Sequence, residues 1–350
     1  MTTGIVKDRR FLDHNAGAGH IENPGRLEAV QAMIEGGLPF SYVLIEPRPA
    51  TREEVERVHT RAYIEALSRT AGKPFLMLDP DTSTTAKSYD TALLAAGGAI
   101  KAADMILAGD VQNGFALVRP PGHHAERGRA MGFCLINNVA VAAEHLLRAR
   151  GLRKILIIDW DLHHGNGTQN AFYDRKDVLY FSTHQFPYYP GSGFWDEAGT
   201  GDGTGFTVNV PLAPGKNDDE YLFIFRSLLG PIAAAYRPEF VLVSAGFDIY
   251  RHDPLGGMRV TPEGFAALAA EITSLADKIC QGRALFVLEG GYDPGGLSDG
   301  VKQVLLQMAG KGEPPSIKGE ISAGIQKELD PVFKTQREFW PVKYHHLSSG

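Results

Sequence analysis

Three side chains able to bind a cation stand two residues apart in Ile155-Leu-Ile-Ile-Asp-Trp-Asp-Leu-His-His-Gly-Asn-Gly-Thr168: Asp159, Asp161 and His163. The apolar run before them reads as a buried parallel strand. In extended chain, residues two apart point to the same side, so the three share one face just past the strand's carboxyl end. Open α/β sheets bind ligands there. Carboxylates and an imidazole at this spacing suit a divalent metal. A second apolar run ends in Ser244-Ala-Gly-Phe-Asp248, and Asp248 completes an Asp-His-Asp set with Asp161 and His163. Two carboxylates and a neutral imidazole balance a 2+ ion and leave coordination positions open, as a catalytic site requires. Zinc is favoured, and the same donors accept Fe(II) or Mn(II). A two-metal site would need more carboxylates, and Asn166 and Tyr250 stand where these would have to be.

Three further motifs sit at or near predicted strand ends. In Arg119-Pro-Pro-Gly-His-His-Ala125, two prolines and a glycine impose a rigid bend that presents His123 and His124 as an adjacent pair. In Gly132-Phe-Cys-Leu-Ile-Asn-Asn138, Asn137 or Asn138 suits a helix cap, and Gly132 with Phe133 suits the wall of a narrow apolar channel. In Leu288-Glu-Gly-Gly-Tyr-Asp293, two glycines swing Tyr292 into the open end of the sheet. No thiolate joins the set: Cys134 lies in the second of these motifs and Cys280 on a predicted helix.

The elements that must position these residues are legible as an alternation. Predicted strands at Phe115–Val118, Ile155–Ile158, Val178–Phe181, Phe240–Ser244 and Ala284–Leu288 alternate with helical patterns at Tyr89–Leu107, Asn138–Leu147, Asp219–Ala235, Glu263–Ile279 and Leu297–Met308. That order gives an α/β fold: one large domain over residues 1–350, a mostly parallel sheet with helices on both faces. Its core is expected over about residues 15–310. The extension 311–350 is expected to wrap the surface or meet another subunit, with His345-His346 as an exposed tail. The 350 residues carry a formal charge of −6 and no basic cluster, which argues against direct nucleic-acid binding. Two cysteines exclude a disulfide framework. No signal-peptide core or run of about 18 apolar residues is apparent, so the chain reads as a cytoplasmic protein off the membrane.

Together these motifs resemble the histone deacetylase family, within the arginase/deacetylase fold. The resemblance spans about His20 to Met308 and also rests on Ser182-Thr-His184 and Asp253-Pro-Leu-Gly-Gly257. The form Asp159-Trp-Asp-Leu-His-His-Gly-Asn-Gly-Thr-Gln169, with Leu78-Asp-Pro-Asp-Thr82, is similar to the class II and bacterial amidohydrolase branch. The resemblance implies a zinc-dependent amidohydrolase, a deacetylase acting on an acylated lysine peptide or a small acylated amine such as an acetylpolyamine. It implies Asp161, His163 and Asp248 as zinc ligands, His123 and His124 as the catalytic pair, and Tyr292 as the hydroxyl that polarises the carbonyl. Asp159 would orient His123. Asn166 would partner His124, where the class I form has Asp. That amide cannot stabilise an imidazolium as a carboxylate would, so His124 should be the better base.

Gly132, Phe133, Tyr189 and Leu255 would line the channel for the acyl-lysine stem, with Asp81 on the rim. Leu255 stands where polyamine-preferring relatives would carry a glutamate. Arg26 and His20 match buried positions near the channel's inner end. A structural potassium ion would be held by Asp159, the carbonyls of Asp161 and His163, Ser182 and Thr183. A homo-oligomer is compatible with this reading.

Overall fold

The computed structural model describes residues 2–313, 316–318, 321 and 323–343; His345-His346 lie outside them. The strands are β1 (Thr3–Val6), β2 (Tyr42–Ile45), β3 (Leu76–Asp79), β4 (Thr82–Thr84), β5 (Asn113–Ala116), β6 (Ile155–Asp159), β7 (Val178–Gln185), β8 (Thr207–Leu212), β9 (Phe240–Ala245) and β10 (Ala284–Leu288). Eight of them form one sheet in the order β2-β1-β5-β10-β9-β6-β7-β8, parallel at every pairing. β3 and β4 form a separate antiparallel hairpin. Every residue of β5, β6, β7, β9 and β10 is buried, which demands cover on both faces. Two helix groups supply it. Ser88–Ala108 packs with Asn138–Arg148, while Pro294–Met308 packs with Pro24–Glu35 and Pro262–Cys280.

Chain order explains where the site falls. After β5 the chain skips two places to lay down β6, β7 and β8, then returns to fill the gap with β9 and β10. The loops leaving β5, β10, β9 and β6 therefore lie side by side at one carboxyl edge, the crevice where such sheets take ligands. Register sets the detail: Asp159 pairs with Ser244 on one side and Ser182 on the other.

Caps set the helix starts beside that edge. Asn137 is the cap of Asn138–Arg148, accepting from Ala140 N at 3.0 Å, and Asp293 caps Pro294–Met308 through Gly296 N at 2.6 Å. Each such cap is worth about 1 kcal/mol.

Four expectations need correction. Thr3–Val6, read as lying before a core that begins near residue 15, forms an inner strand of the sheet. The predicted strand Phe115–Val118 begins two residues earlier, at Asn113. The predicted helix Asp219–Ala235 is two helices, Asp218–Ile224 and Gly230–Tyr236, joined by a π turn at Phe225–Leu229. Pro231 has no N–H to give the preceding turn, and its ring crowds the carbonyl four residues back, so the helix widens there. Helix Ser88–Ala108 is long and apolar enough to cross a bilayer by composition, which the sequence reading did not single out. Its apolar face lies against β1, β5, β10 and Asn138–Arg148. At Gly97 it presses so closely on the backbone of Arg48–Ala50 that no Cβ fits.

The C-terminal extension packs on its own chain: helix Ala323–Gln336 lies on edge strand β8, and Trp340 Nε1 donates to Gly205 O at 2.7 Å.

Trp160, the largest fully buried side chain, packs its ring between Phe247 and Phe286, and its Nε1–H has no partner. Trp160→Ala should lower unfolding free energy by about 3–5 kcal/mol. Trp160→Phe, which keeps the ring contact and removes the unpaired N–H, should cost less than about 1.5 kcal/mol. Urea midpoints of the two variants check this, and equal losses would contradict it.

Candidate metal centre and active site

Asp161 and His163 follow β6 and Asp248 follows β9, and the strand pairing brings them together. One ligand atom from each lies within 4.8 Å of the other two, and all three side chains are buried. His163 Nδ1 is 3.2 Å from Asp161 Oδ1 and 3.1 Å from Asp248 Oδ2. Two glycines make the approach possible. A Cβ on Gly246 would sit 2.1 Å from Asp161 Oδ2, and one on Gly290 would sit 2.3 Å from Asp248 Oδ2.

The electrostatics ask for a cation. Burial, then the neighbouring Asp161, pushes the Asp248 carboxyl up to about 7. Burial alone would lower His163, but its hydrogen bonds to Asp161 and Asp248 push it up to about 9. Two oxygens and one nitrogen converging on a buried point, with excess negative charge, fit a single divalent ion.

The histidine pair is held on the β5 side. His123 Nδ1 lies 3.1 Å from Asp159 Oδ2, and His124 Nδ1 lies 2.7 Å from Asn166 Oδ1. Burial opposes charge on His123, yet Asp161, Asp159 and Glu289 together raise it well above the usual imidazole range. Burial, then His123 and His163, holds His124 well below that range. Adjacent residues of one type are thus pushed in opposite directions by their surroundings.

Tyr292 is positioned by Arg26, expected at the channel's inner end, and by carboxylates to which the sequence reading gave no role. Arg26 donates to Gly291 O at 2.5 Å and to Glu289 O at 2.7 Å, and its guanidinium lies 4.7 Å from the Tyr292 ring centroid. Asp253 Oδ2 accepts from Tyr292 N at 2.6 Å while Oδ1 accepts from Leu255 N at 2.9 Å. Glu289 Oε2 accepts from Gly122 N at 2.6 Å and His123 N at 3.1 Å, tying the β10 loop to the histidine loop. Glu22 binds Arg119 through two nitrogens, at 2.5 and 2.8 Å, and Arg26 at 2.9 Å. Glu22, Glu289 and Asp253 are buried carboxylates whose roles no local sequence signal showed. No periodicity marks them.

A cavity of about 220 Å³ opens onto these groups, lined by Asp81, His124, Gly132, Phe133, His163, Tyr188, Tyr189, Leu255 and Tyr292. Every residue expected on the channel wall or rim lines it, and Tyr188, which was not singled out, stacks on His163 with centroids 5.6 Å apart. Gly132 is required: at φ +57° its Cβ would lie 2.3 Å from the His124 ring. Asp81 Oδ1 accepts from Gly132 N at 3.0 Å and from the Thr82 hydroxyl at 2.7 Å, so one rim oxygen braces the wall. His20 is half-buried rather than buried and packs edge-on behind Phe133, centroids 4.8 Å apart. Arg26 is buried, under Tyr292. Thr183 Oγ1 is buried without a hydrogen-bond partner, beside Ser182, which pairs in register with Asp159.

Comparison with known proteins follows the same residues. Residues 20–308 match the model of the histone deacetylase domain. A probable deacetylase of Archaeoglobus fulgidus is 42% identical over 295 residues, covering 83% of this chain and 82% of that protein. Histone deacetylase 15 of Arabidopsis thaliana is 41% identical over 364 residues, 99% of this chain, which spans only 65% of that protein's length. The crystal structure of the HDA15 HD domain superposes with a TM-score of 0.88 at 42% identity, over 97% of this chain and 95% of that one.

Asp248→Ala should abolish retention of a divalent ion after dialysis, read by elemental analysis; full occupancy would contradict the ligand set. Binding should also release protons. In the metal-free site His163, pushed up to about 9, and Asp248, pushed up to about 7, both favour their protonated forms more than usual. Zinc titration by calorimetry in buffers of different ionisation enthalpy should read net proton release at pH 7 and less at pH 10. Affinity should therefore weaken as pH falls.

Proposed function

The chain belongs to the histone deacetylase family, and on that premise we propose that it removes the acyl group from an acyl-lysine side chain by hydrolysing the amide. The observation that carries this reading is the cavity: its walls are aromatic and aliphatic, and its lining brings His163, His124 and Tyr292 together. A lysine stem is apolar until its amide, so such walls suit it and the polar groups meet the one bond to be broken.

The metal residues would be Asp161, His163 and Asp248, with zinc the best match to two oxygens and one nitrogen and Fe(II) compatible. Such an ion supplies Lewis acidity at the amide carbonyl and makes a neighbouring water more acidic. Every other contribution comes from the chain's own side chains. His124, whose partner is a neutral amide, accepts the proton of the attacking water at Nε2. His123, held by the Asp159 carboxylate, carries positive charge beside it and helps return a proton to the departing amine. The two exchange protons as a coupled unit. The Tyr292 hydroxyl donates to the amide oxygen as negative charge develops there. Phe133 and Tyr189 exclude water from the stem. A potassium ion at Asp159, Ser182, Thr183 and the Asp161 and His163 carbonyls would give the unpartnered Thr183 hydroxyl a ligand role.

Leu255 lines the cavity and offers nothing to a second cation, which favours a lysine side chain over an acetylpolyamine. Metal-loaded enzyme should turn over an acetyl-lysine peptide at a higher kcat/KM than acetylspermidine; the reverse ranking would transfer the assignment to polyamines. Tyr292→Phe should lower kcat by about 10²-fold, roughly 3 kcal/mol of transition-state stabilisation, with metal content unchanged. Near wild-type turnover in that variant would remove Tyr292 from the mechanism.

A further inference from the structure

The two histidines differ in the kind of group that faces Nδ1. Asp159 offers His123 a carboxylate, which accepts from either oxygen and has no wrong way round. Asn166 offers His124 an amide, with an accepting end and a donating end. Turned one way, it takes a proton from His124 Nδ1 and leaves Nε2 bare. Turned the other way, it gives a proton to Nδ1, puts the ring proton on Nε2, and removes the lone pair a base must have. Something has to choose.

Glu126 faces the other end of that amide. Asn166 Nδ2 donates to Glu126 Oε1 at 2.6 Å, and Asn170 Nδ2, one helical turn on, donates to the same oxygen at 2.9 Å. Reversing the Asn166 amide would set its carbonyl oxygen against a carboxylate oxygen at that distance, two acceptors with no proton between them. The reversed form is excluded for that reason, and His124 Nδ1 must be the donor in its 2.7 Å contact with Asn166 Oδ1.

Glu126 is itself anchored. His59 Nε2 accepts from Asn137 N at 3.0 Å, so its Nδ1 carries the proton and donates to Glu126 O at 2.8 Å. Glu126 N donates to Arg129 O at 3.0 Å.

We propose that Glu126 is a positioning residue for the hydrolytic reaction, acting through the Asn166 amide to hold His124 in the tautomer whose Nε2 accepts a proton on the cavity side. The carboxylate that directly faces His123 is here set one residue further from His124. The inference rests on the reading of His124 as base.

The test exchanges the pair's polarity in the metal-loaded enzyme. Glu126→Gln leaves Asn166 free to turn and should lower kcat for an acetyl-lysine peptide about tenfold with KM unchanged. Asn166→Asp sets two carboxylates against each other and should lower kcat by a similar factor. The double variant restores a donor facing an acceptor at both contacts and should exceed both single variants in kcat, while the carboxylate at residue 166 keeps it below wild type. A double variant no better than the worse single one would overturn the proposal, as would a Glu126→Gln enzyme with unchanged kcat.

A second readout needs no substrate. Imidazole ¹⁵N spectra should show His124 protonated at Nδ1 in the wild type and as a mixture of tautomers in Glu126→Gln. An identical His124 spectrum in both would sink the proposal whatever the enzyme hydrolyses. A wild type with the expected tautomer but no amidase activity would instead overturn the proposed function alone.

Discussion

The fold depends on burying several carboxylates at one edge of a parallel sheet. Asp159, Asp161, Asp248 and Glu289 are all essentially inaccessible, and an uncompensated buried carboxylate is among the costliest groups a protein can hold. The compensation comes from backbone N–H groups of neighbouring loops. Asp248, after β9, accepts from Leu162 N after β6 at 2.9 Å. Asp161, after β6, accepts from Gly290 N after β10 at 2.9 Å. Glu289, after β10, accepts from Gly122 and His123 N after β5. The loops after β5, β6 and β10 are thus each held by a carboxylate of another loop. The same groups that would bind the ion therefore also set the loop geometry, and the acidic lining is a structural frame before it is a ligand set.

A second buried frame stands behind Tyr292. Glu22 receives both Arg119 and Arg26, with His14 Nε2 3.3 Å away. Arg119, before the other groups, holds the Glu22 carboxyl well below its usual range against burial. Two guanidiniums on one carboxylate leave donors over. Arg119 uses its spare ones on Phe11 O and His14 O, at 3.2 Å each, and Arg26 uses its own on the carbonyls of Glu289 and Gly291. The N-terminal segment, the β5 loop and the β10 loop thus close on one point. Removing one partner from such a buried set costs about 3–5 kcal/mol, so Tyr292 sits on a rigid support although two glycines precede it.

The sequence made the chemistry more legible than the scaffold. Asp161, His163 and Asp248 could be read because an extended strand places alternate residues together and because carboxylates are rare where an apolar run has just ended. The five strands predicted were long enough, or apolar enough, to stand out. β1 and β2 have four residues each, and Leu44 of β2 is more than half exposed. Such a strand has no pattern of its own and is recognisable only once its neighbours exist. β8 was obscured by Pro211, which an edge strand tolerates. Glu22, Asp253 and Glu126 were out of reach for a different reason. Their roles come from contacts across 97, 39 and 40 residues, and nothing local distinguishes a carboxylate that will be buried from one that will face water.

His123 and His124 are adjacent in the chain but meet partners of different kinds, a carboxylate and an amide. In this non-helical bend the Nδ1 atoms of the two rings reach different elements: one the end of β6, the other the start of helix Asn166–Phe172. The ring centroids are only 4.0 Å apart, too close for both to be cationic, and whichever holds charge suppresses charge on the other. A carboxylate on one side and an amide on the other break that symmetry in a definite direction. Had both partners been carboxylates, the pair would share its proton more evenly and neither ring would be reserved as acceptor. With an amide at residue 166, the proposed choice of base would be made by hydrogen-bond polarity, and the Glu126 carboxylate would reach His124 through the orientation of a neutral group.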